Sequence, residues 1–302
     1  MIVFQKLDPQ RREEYERYLL QSGKGCEYSF ANLSIWGRQW AAFVEGFLVL
    51  HSQFDRRSVY PFPLGQGNIV PVLEAIMEDA RQRGILCCLT GLNEADCRLL
   101  AQHFPGKFRI QSDRNVFDYI YDINELADLK GRKFQKKRNH LNRFRENHPH
   151  WRTEPFAAAH LPAVRELLHD WYQHRQQINP HGNYALERLA LDRTLSDPDR
   201  LGMEGLVLYD GEQLLAFTLG SRLSADTYDI HFEKAREDVD GAYAAINQQF
   251  AFHLREMHPD IRFLNREDDM GLEGLRKAKL SYCPVKLMEK YWARLWEEDD
   301  EN

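Results

Sequence analysis

Gly131-Arg132-Lys133-Phe134-Gln135-Lys136-Lys137-Arg138-Asn139-His140-Leu141-Asn142-Arg143-Phe144-Arg145 is a dense basic block in a chain of 302 residues with formal net charge -6. No acidic residue falls between Asp128 and Glu146, so the positive field is not neutralised by sequence neighbours, and a directed use of charge such as holding phosphate follows. The block is also phased. Phe134, Leu141 and Phe144 form one apolar stripe at the helical period. At about 100° per residue, Arg132, Lys136, Asn139 and Arg143 fall on the other side. Like charges at i,i+4, as in Arg132 and Lys136, weaken a helix unless an anion offsets them. The stretch therefore predicts a helix with one face on a domain and one row of cations, including Lys133 and Lys137, offered to phosphate.

Working outward, the composition of 43% hydrophobic and 28% charged residues is that of a globular protein and argues against disorder. Met1 to Gln10 carries no apolar signal segment, and the longest apolar runs fall far short of a membrane span. Cys26, Cys87, Cys88, Cys97 and Cys283 are odd in number and form no C-x-x-C pair, which argues against a disulfide framework or zinc site. A reducing cytoplasm is the expected location.

On either side of the basic helix the chain has similar order. The first part reads as a helix from Pro9 to Leu20, strands through Trp40 to Leu50 and Ser58 to Pro63, and a helix over 69–83. A strand over 85–90, a helix over 94–103 and a closing strand over 117–122 follow. The second part reads as a strand over 152–156, helices over 161–177 and 184–195, and a hairpin over 206–219 turning at Asp210-Gly211. A strand over 227–233, a helix over 242–257, a strand over 261–264, a helix over 273–279 and a last strand over 285–295 complete it. Both halves are mixed α/β sheets. The expected organisation is a first domain over 1–125, a basic interdomain helix over 126–148 and a second domain over 149–302.

Three clusters carry candidate chemistry. In Tyr228-Asp229-Ile230-His231-Phe232-Glu233, strand alternation places Asp229, His231 and Glu233 on one face, where three titratable groups can serve as acid, base or amine anchor. Asn247, beside the apolar stripe of the following helix, can look into the same cleft, and Tyr243 lies on that stripe. The loop Asn265-Arg266-Glu267-Asp268-Asp269-Met270-Gly271 follows a short strand, the usual place for a ligand loop. Its carboxylates suit an ammonium, while Arg276 and Lys279 on the next helix suit an anion. The histidines from His148 to His181 have no metal-ligand spacing, and no metal site is expected; no Ser-His-Asp or nucleophile-elbow pattern is visible either.

Leu129 to Phe144, His231 to Ala235 with Gly241-Ala242-Tyr243 and Ile246-Asn247, and Asn265 to Gly271 with Gly274 to Tyr282 together resemble the bacterial proteins related to the C-terminal domain of phosphatidylglycerol lysyltransferase. The resemblance implies two tandem acyl-CoA N-acyltransferase domains of the GCN5-related (GNAT-like) fold, shared with the Fem aminoacyltransferases. It implies acyl or aminoacyl transfer, with aminoacyl-tRNA as donor and a small-molecule, lipid or peptide acceptor carrying a hydroxyl or amine. The basic helix then becomes a tRNA contact. Two departures stand out: no membrane domain precedes the catalytic part, and Asp238-Val239-Asp240-Gly241-Ala242-Tyr243 lacks the Arg/Gln-x-x-Gly-x-Gly/Ala turn that cradles CoA. An acetyl-CoA-dependent N-acetyltransferase and a non-catalytic tRNA- or RNA-binding module are the alternatives.

Overall fold

The computed structural model describes residues 1–54, 57–179 and 184–296; His181 lies outside them. In chain order the first elements are β1 (Gln5–Lys6), α1 (Arg12–Leu19), α2 (Phe30–Ile35), β2 (Arg38–Val44), β3 (Phe47–Phe54), β4 (Arg57–Pro61), α3 (Val70–Arg83), β5 (Cys88–Leu92), α4 (Glu94–His103) and β6 (Phe108–Ser112). Then come β7 (Asp118–Asp122), α5 (Ile123–Asp128), α6 (Gln135–Asn147), β8 (Trp151–Pro155), α7 (Leu161–Ile178), α8 (Ala185–Ser196), β9 (Met203–Asp210) and β10 (Gln213–Arg222). The chain continues through β11 (Thr227–Ala235), α9 (Ala242–Met257), β12 (Phe263–Asn265), α10 (Glu273–Leu280), β13 (Lys286–Met288) and β14 (Tyr291–Leu295).

Local chemistry sets the element ends. Pro71 opens α3, where its missing N–H costs nothing, and Gly84 closes it in the left-handed region at φ 65°. Asn93 and Asp96 form a reciprocal capping box on α4. The β9–β10 hairpin turns at Gly211, φ 56°, as its Asp-Gly sequence predicts.

The chain divides into two compact units. One comprises Met1–Asp118, Asp268–Leu272 and Met288–Asn302, and the other Tyr119–Glu267 and Glu273–Leu287. Each holds a mixed seven-stranded sheet, ordered β1-β2-β3-β4-β5-β14-β6 and β13-β7-β12-β11-β10-β9-β8. Two strand expectations are corrected here. The strand over 117–122 does not close the first sheet: β7 pairs antiparallel with β12 of the second, Tyr121 opposite Leu264. The expected last strand over 285–295 is two strands in two sheets, and β14 runs between β5 and β6. Burial explains both. Tyr119 and Tyr121 are buried in the second unit's core with Leu126, Phe134, Ile246 and Phe250, whereas Ala293 is buried in the first unit's core with Leu89 and Leu92.

The phased basic stretch folds as a 3-10 turn over Arg132–Phe134 that runs into α6; α6 packs on α9 within the second unit and is part of that unit's core layer. Phe134, Leu141 and Phe144 are 0%, 2% and 0% exposed; burying each side chain contributes roughly 1.5–3 kcal/mol, enough to offset the repulsion among its cations. On α9, Ile246, Phe250 and Leu254 face the same core, while Met257 is exposed at the helix end. Among the described residues, no helix is long and apolar enough to cross a membrane.

Candidate functional site

β11 is not a regular strand. Leu219 of β10 pairs with Phe232 and Gly220 with Ile230, so His231 is the residue inserted at a β-bulge. This bulge changes the alternation expected from the sequence, because one inserted residue exchanges the faces beyond it. Tyr228 and Ile230 lie in the core under α9. Glu233 points to that α9 face too, accepting a hydrogen bond from Asn247 Nδ2 at 3.1 Å. Asp229 and His231 point to the other face. The expected single row of Asp229, His231 and Glu233 is therefore two clusters, both in the second unit.

The first cluster centres on His231. Its Nε2 meets Ser221 Oγ at 2.8 Å and its Nδ1 meets Glu267 Oε1 at 3.2 Å, with Asp229 Oδ2 3.6 Å from the same nitrogen. Ser221 stands opposite Asp229 on β10, and Asn265 stands opposite Asp229 on β12. Glu267 reaches the imidazole from a left-handed backbone conformation, φ 55°, held by its N–H donating to Asn265 Oδ1 at 2.7 Å. A bulge and a positive-φ glutamate thus converge on one ring, and each is a local cost. Ligand atoms of Asp229, His231 and Glu267 all lie within 4.8 Å of one another, a grouping that can hold a proton or a cation. A carboxylate accepts only, so Nδ1 is the protonated nitrogen when Glu267 is ionised, which leaves Nε2 to accept from the Ser221 hydroxyl.

The second cluster centres on Glu233 and Arg266. Arg266 Nη2 donates to Glu233 Oε1 at 2.8 Å, and the guanidinium carbon lies 4.9 Å from the Tyr282 ring centroid and 5.7 Å from that of Tyr121. Lys137 leaves the basic row and turns inward, its Nζ 3.8 Å from the Tyr282 centroid. Burial and the positive charge of Arg266 push its ammonium down to about 8. Lys279 is buried as well; its ammonium donates to the Arg266 carbonyl.

The remaining expected site residues lie elsewhere. Tyr243 packs against the core under α9, and its hydroxyl accepts from Trp171 Nε1 at 2.9 Å. Asp268 accepts from the Met270 N–H at 3.0 Å, closing its own turn. Arg276 is half-buried on α10. In the 3-10 turn before α6, Lys133 pairs with Glu125 at 2.7 Å, and on α6 Arg143 pairs with Asp240 at 2.6 Å. Asn139 is exposed; Arg132 and Lys136 are exposed with no ion pair among the described residues. Hydrogen bonds from His140 and Arg143 hold Asp240 below the usual carboxylate range, so this acid at the mouth of α9 is charged. Ser221 escaped the sequence reading, since only the strand register brings it to His231.

Comparison with known proteins gives this geometry a family. The model described as phosphatidylglycerol lysyltransferase, C-terminal, matches residues 19–294, and the chain belongs to that family. Its fold is two tandem GNAT-like domains. It is similar to a conserved protein of unknown function from Bacteroides thetaiotaomicron, with 34% identity, TM-score 0.92, and 98% of this chain and 100% of that one covered. It also resembles L-PGS from Bacillus licheniformis, with 17% identity, TM-score 0.69, and 98% and 94% covered. FemX shares the fold at 9% identity and TM-score 0.63, over 99% and 98% of the chains. An uncharacterised protein of Mycoplasmoides gallisepticum is 24% identical over 180 residues, 59% of this chain; the match spans 56% of that relative's length.

Proposed function

We propose that this chain transfers an aminoacyl group from aminoacyl-tRNA to an amine or hydroxyl acceptor. The family and its fold support transfer chemistry in general; the choice of donor rests on the N-terminus of α9. In a CoA-dependent enzyme that end would cradle a pyrophosphate with free backbone N–H groups. Here Asp240 precedes it, and α6 lies against it: a Cβ on Gly241 would sit 2.6 Å from the His140 carbonyl oxygen and 2.8 Å from Phe144 Cβ. A carboxylate and a packed helix at this end disfavour a phosphate there. Arg132, in the turn before α6, and Lys136 on α6 are instead exposed and make no ion pair among the described residues; with Asn139 beside them they form a surface suited to a polynucleotide backbone.

In the transfer step the acceptor's nitrogen or oxygen attacks the ester carbonyl carbon, and the bond to the ribose oxygen breaks. His231 Nε2 takes the acceptor's proton through the Ser221 hydroxyl, the charge of the imidazolium being stabilised by Glu267 and Asp229. The same proton then passes to the departing ribose oxygen, which leaves as a hydroxyl. The test offers a pool of tRNA charged with radiolabelled amino acids and labelled acetyl-CoA in parallel, in the presence of amine and hydroxyl acceptors. Label should leave the tRNA only, and His231→Ala should slow it about 10²-fold or more. Turnover with acetyl-CoA alone, or with neither donor, would overturn the reading.

A further inference from the structure

The Glu233–Arg266–Asn247 cluster is incomplete. Glu233 is spent: Oε1 accepts from Arg266 and Oε2 from Asn247. That bond also fixes the Asn247 amide, because its flipped form would oppose two acceptors. Two atoms are left buried with no hydrogen-bond partner among the described residues, the donor Arg266 Nη1 and the acceptor Asn247 Oδ1. Asn247 is 4% exposed. Lys137 adds a second cation: it flanks the Tyr282 ring with Arg266 and makes no hydrogen bond or ion pair with any described residue. Arg266, Lys137 and Glu233 thus set two cations against one carboxylate, an excess of positive charge in surroundings where unmet polar groups are costly.

We propose that Lys137, Arg266 and Asn247 form an anchoring subsite for a substrate that carries a carboxylate beside an N–H, as an amino acid or the C-terminal residue of a peptide does. The carboxylate faces Lys137 and Arg266 Nη1, and the N–H donates to Asn247 Oδ1. Such a ligand supplies both the missing charge and the missing donor, which a phosphate ester does not. As a statement about the acceptor of the reaction this rests on the transfer reading; the binding itself does not.

The test is calorimetric titration of the whole chain at pH 8 with L-alanine, N-acetyl-L-alanine, propionate and sn-glycerol 3-phosphate. Each titration is run in two buffers of different ionisation enthalpy. One of the two alanine compounds should bind at least tenfold more tightly than propionate; which one it is separates a free amino acid from a peptide terminus. Binding should take up protons, because the incoming carboxylate returns the Lys137 ammonium to its charged form. Lys137→Met should abolish that uptake and weaken binding, and Asn247→Leu should remove the advantage over propionate. Tighter binding of glycerol 3-phosphate, no carboxylate binding, or proton uptake unchanged in Lys137→Met would each overturn the proposal. Binding as expected without transfer from charged tRNA would sink the transfer reading and leave the subsite standing.

Discussion

His231 and Glu233 are two residues apart on one strand, yet they point to opposite faces of the sheet. His231 meets Ser221 on one side, and Glu233 meets Asn247 of α9 on the other. A single residue inserted beside the Gly220–Ile230 pair produces this, and through it one strand serves two chemically distinct clusters. Arg266 and Glu267 repeat the division at the end of β12, since the first pairs with Glu233 and the second with His231.

The bulge depends on Gly220. A Cβ there would lie 2.4 Å from the Asp229 carbonyl oxygen and 2.8 Å from the Tyr228 ring, so backbone would have to move. Gly220→Ala is expected to cost about 1–3 kcal/mol, read as a lower urea midpoint. Asp229 and His231 would shift with it, and transfer activity should fall more than the loss of folded protein explains.

Lys137 should make stability depend on pH in an unusual direction. Its folded value of about 8 lies below the ordinary 10.5, so the unfolded chain binds the proton more tightly between these values. The destabilisation is full below pH 8 and fades as pH rises through the window to 10.5. Lys137→Met should therefore raise stability at pH 7, by about 1–2 kcal/mol once the partly solvated side chain is allowed for. Above pH 10.5 the gain should vanish. Thermal unfolding of both proteins from pH 6 to 11 measures it.

On the outer row, Arg132→Ala and Lys136→Ala should each weaken tRNA binding and reduce the slope of log affinity against log salt by about 1. Neither should change the unfolding midpoint, because both side chains are exposed and make no ion pair among the described residues. Arg143→Ala should have a smaller effect on binding, its guanidinium being engaged by Asp240. Filter binding at several salt concentrations separates the three.

Much of the second unit was legible in the sequence because its signals are local. The stripe of Phe134, Leu141 and Phe144 gave α6, and Asp210-Gly211 gave the hairpin turn. Lys137 was misread although a signal existed: it stands three residues after Phe134 and four before Leu141, on the apolar stripe itself, where an inward cation is the default geometry. The destinations of β7 and β14 were not legible, since each pairs with strands distant in sequence whose apolar faces look alike. The bulge was nearly invisible as well. Asp229 to Glu233 alternates as a regular strand would, and the only mark is a glycine inside the apolar run of the partner strand, Leu219-Gly220-Ser221.

Glu233→Gln tests the second cluster most sharply. The pair it breaks is largely buried, Arg266 and Glu233 side chains being 13% and 10% exposed, and losing the carboxylate leaves the guanidinium between Tyr121 and Tyr282 without a counter-charge. A loss of about 3 kcal/mol is expected, seen in denaturant unfolding. The substitution also acts on recognition. The new amide keeps an oxygen for Arg266 and presents its nitrogen to Asn247, whose own amide must then turn its oxygen inward. That rotation places Asn247 Nδ2 where Oδ1 had been, so a donor replaces the acceptor. Glu233→Gln should consequently lose the preference for an N–H-bearing ligand while retaining affinity for a plain carboxylate such as propionate. A variant that kept its preference for alanine or N-acetylalanine would show that Asn247 does not read the N–H.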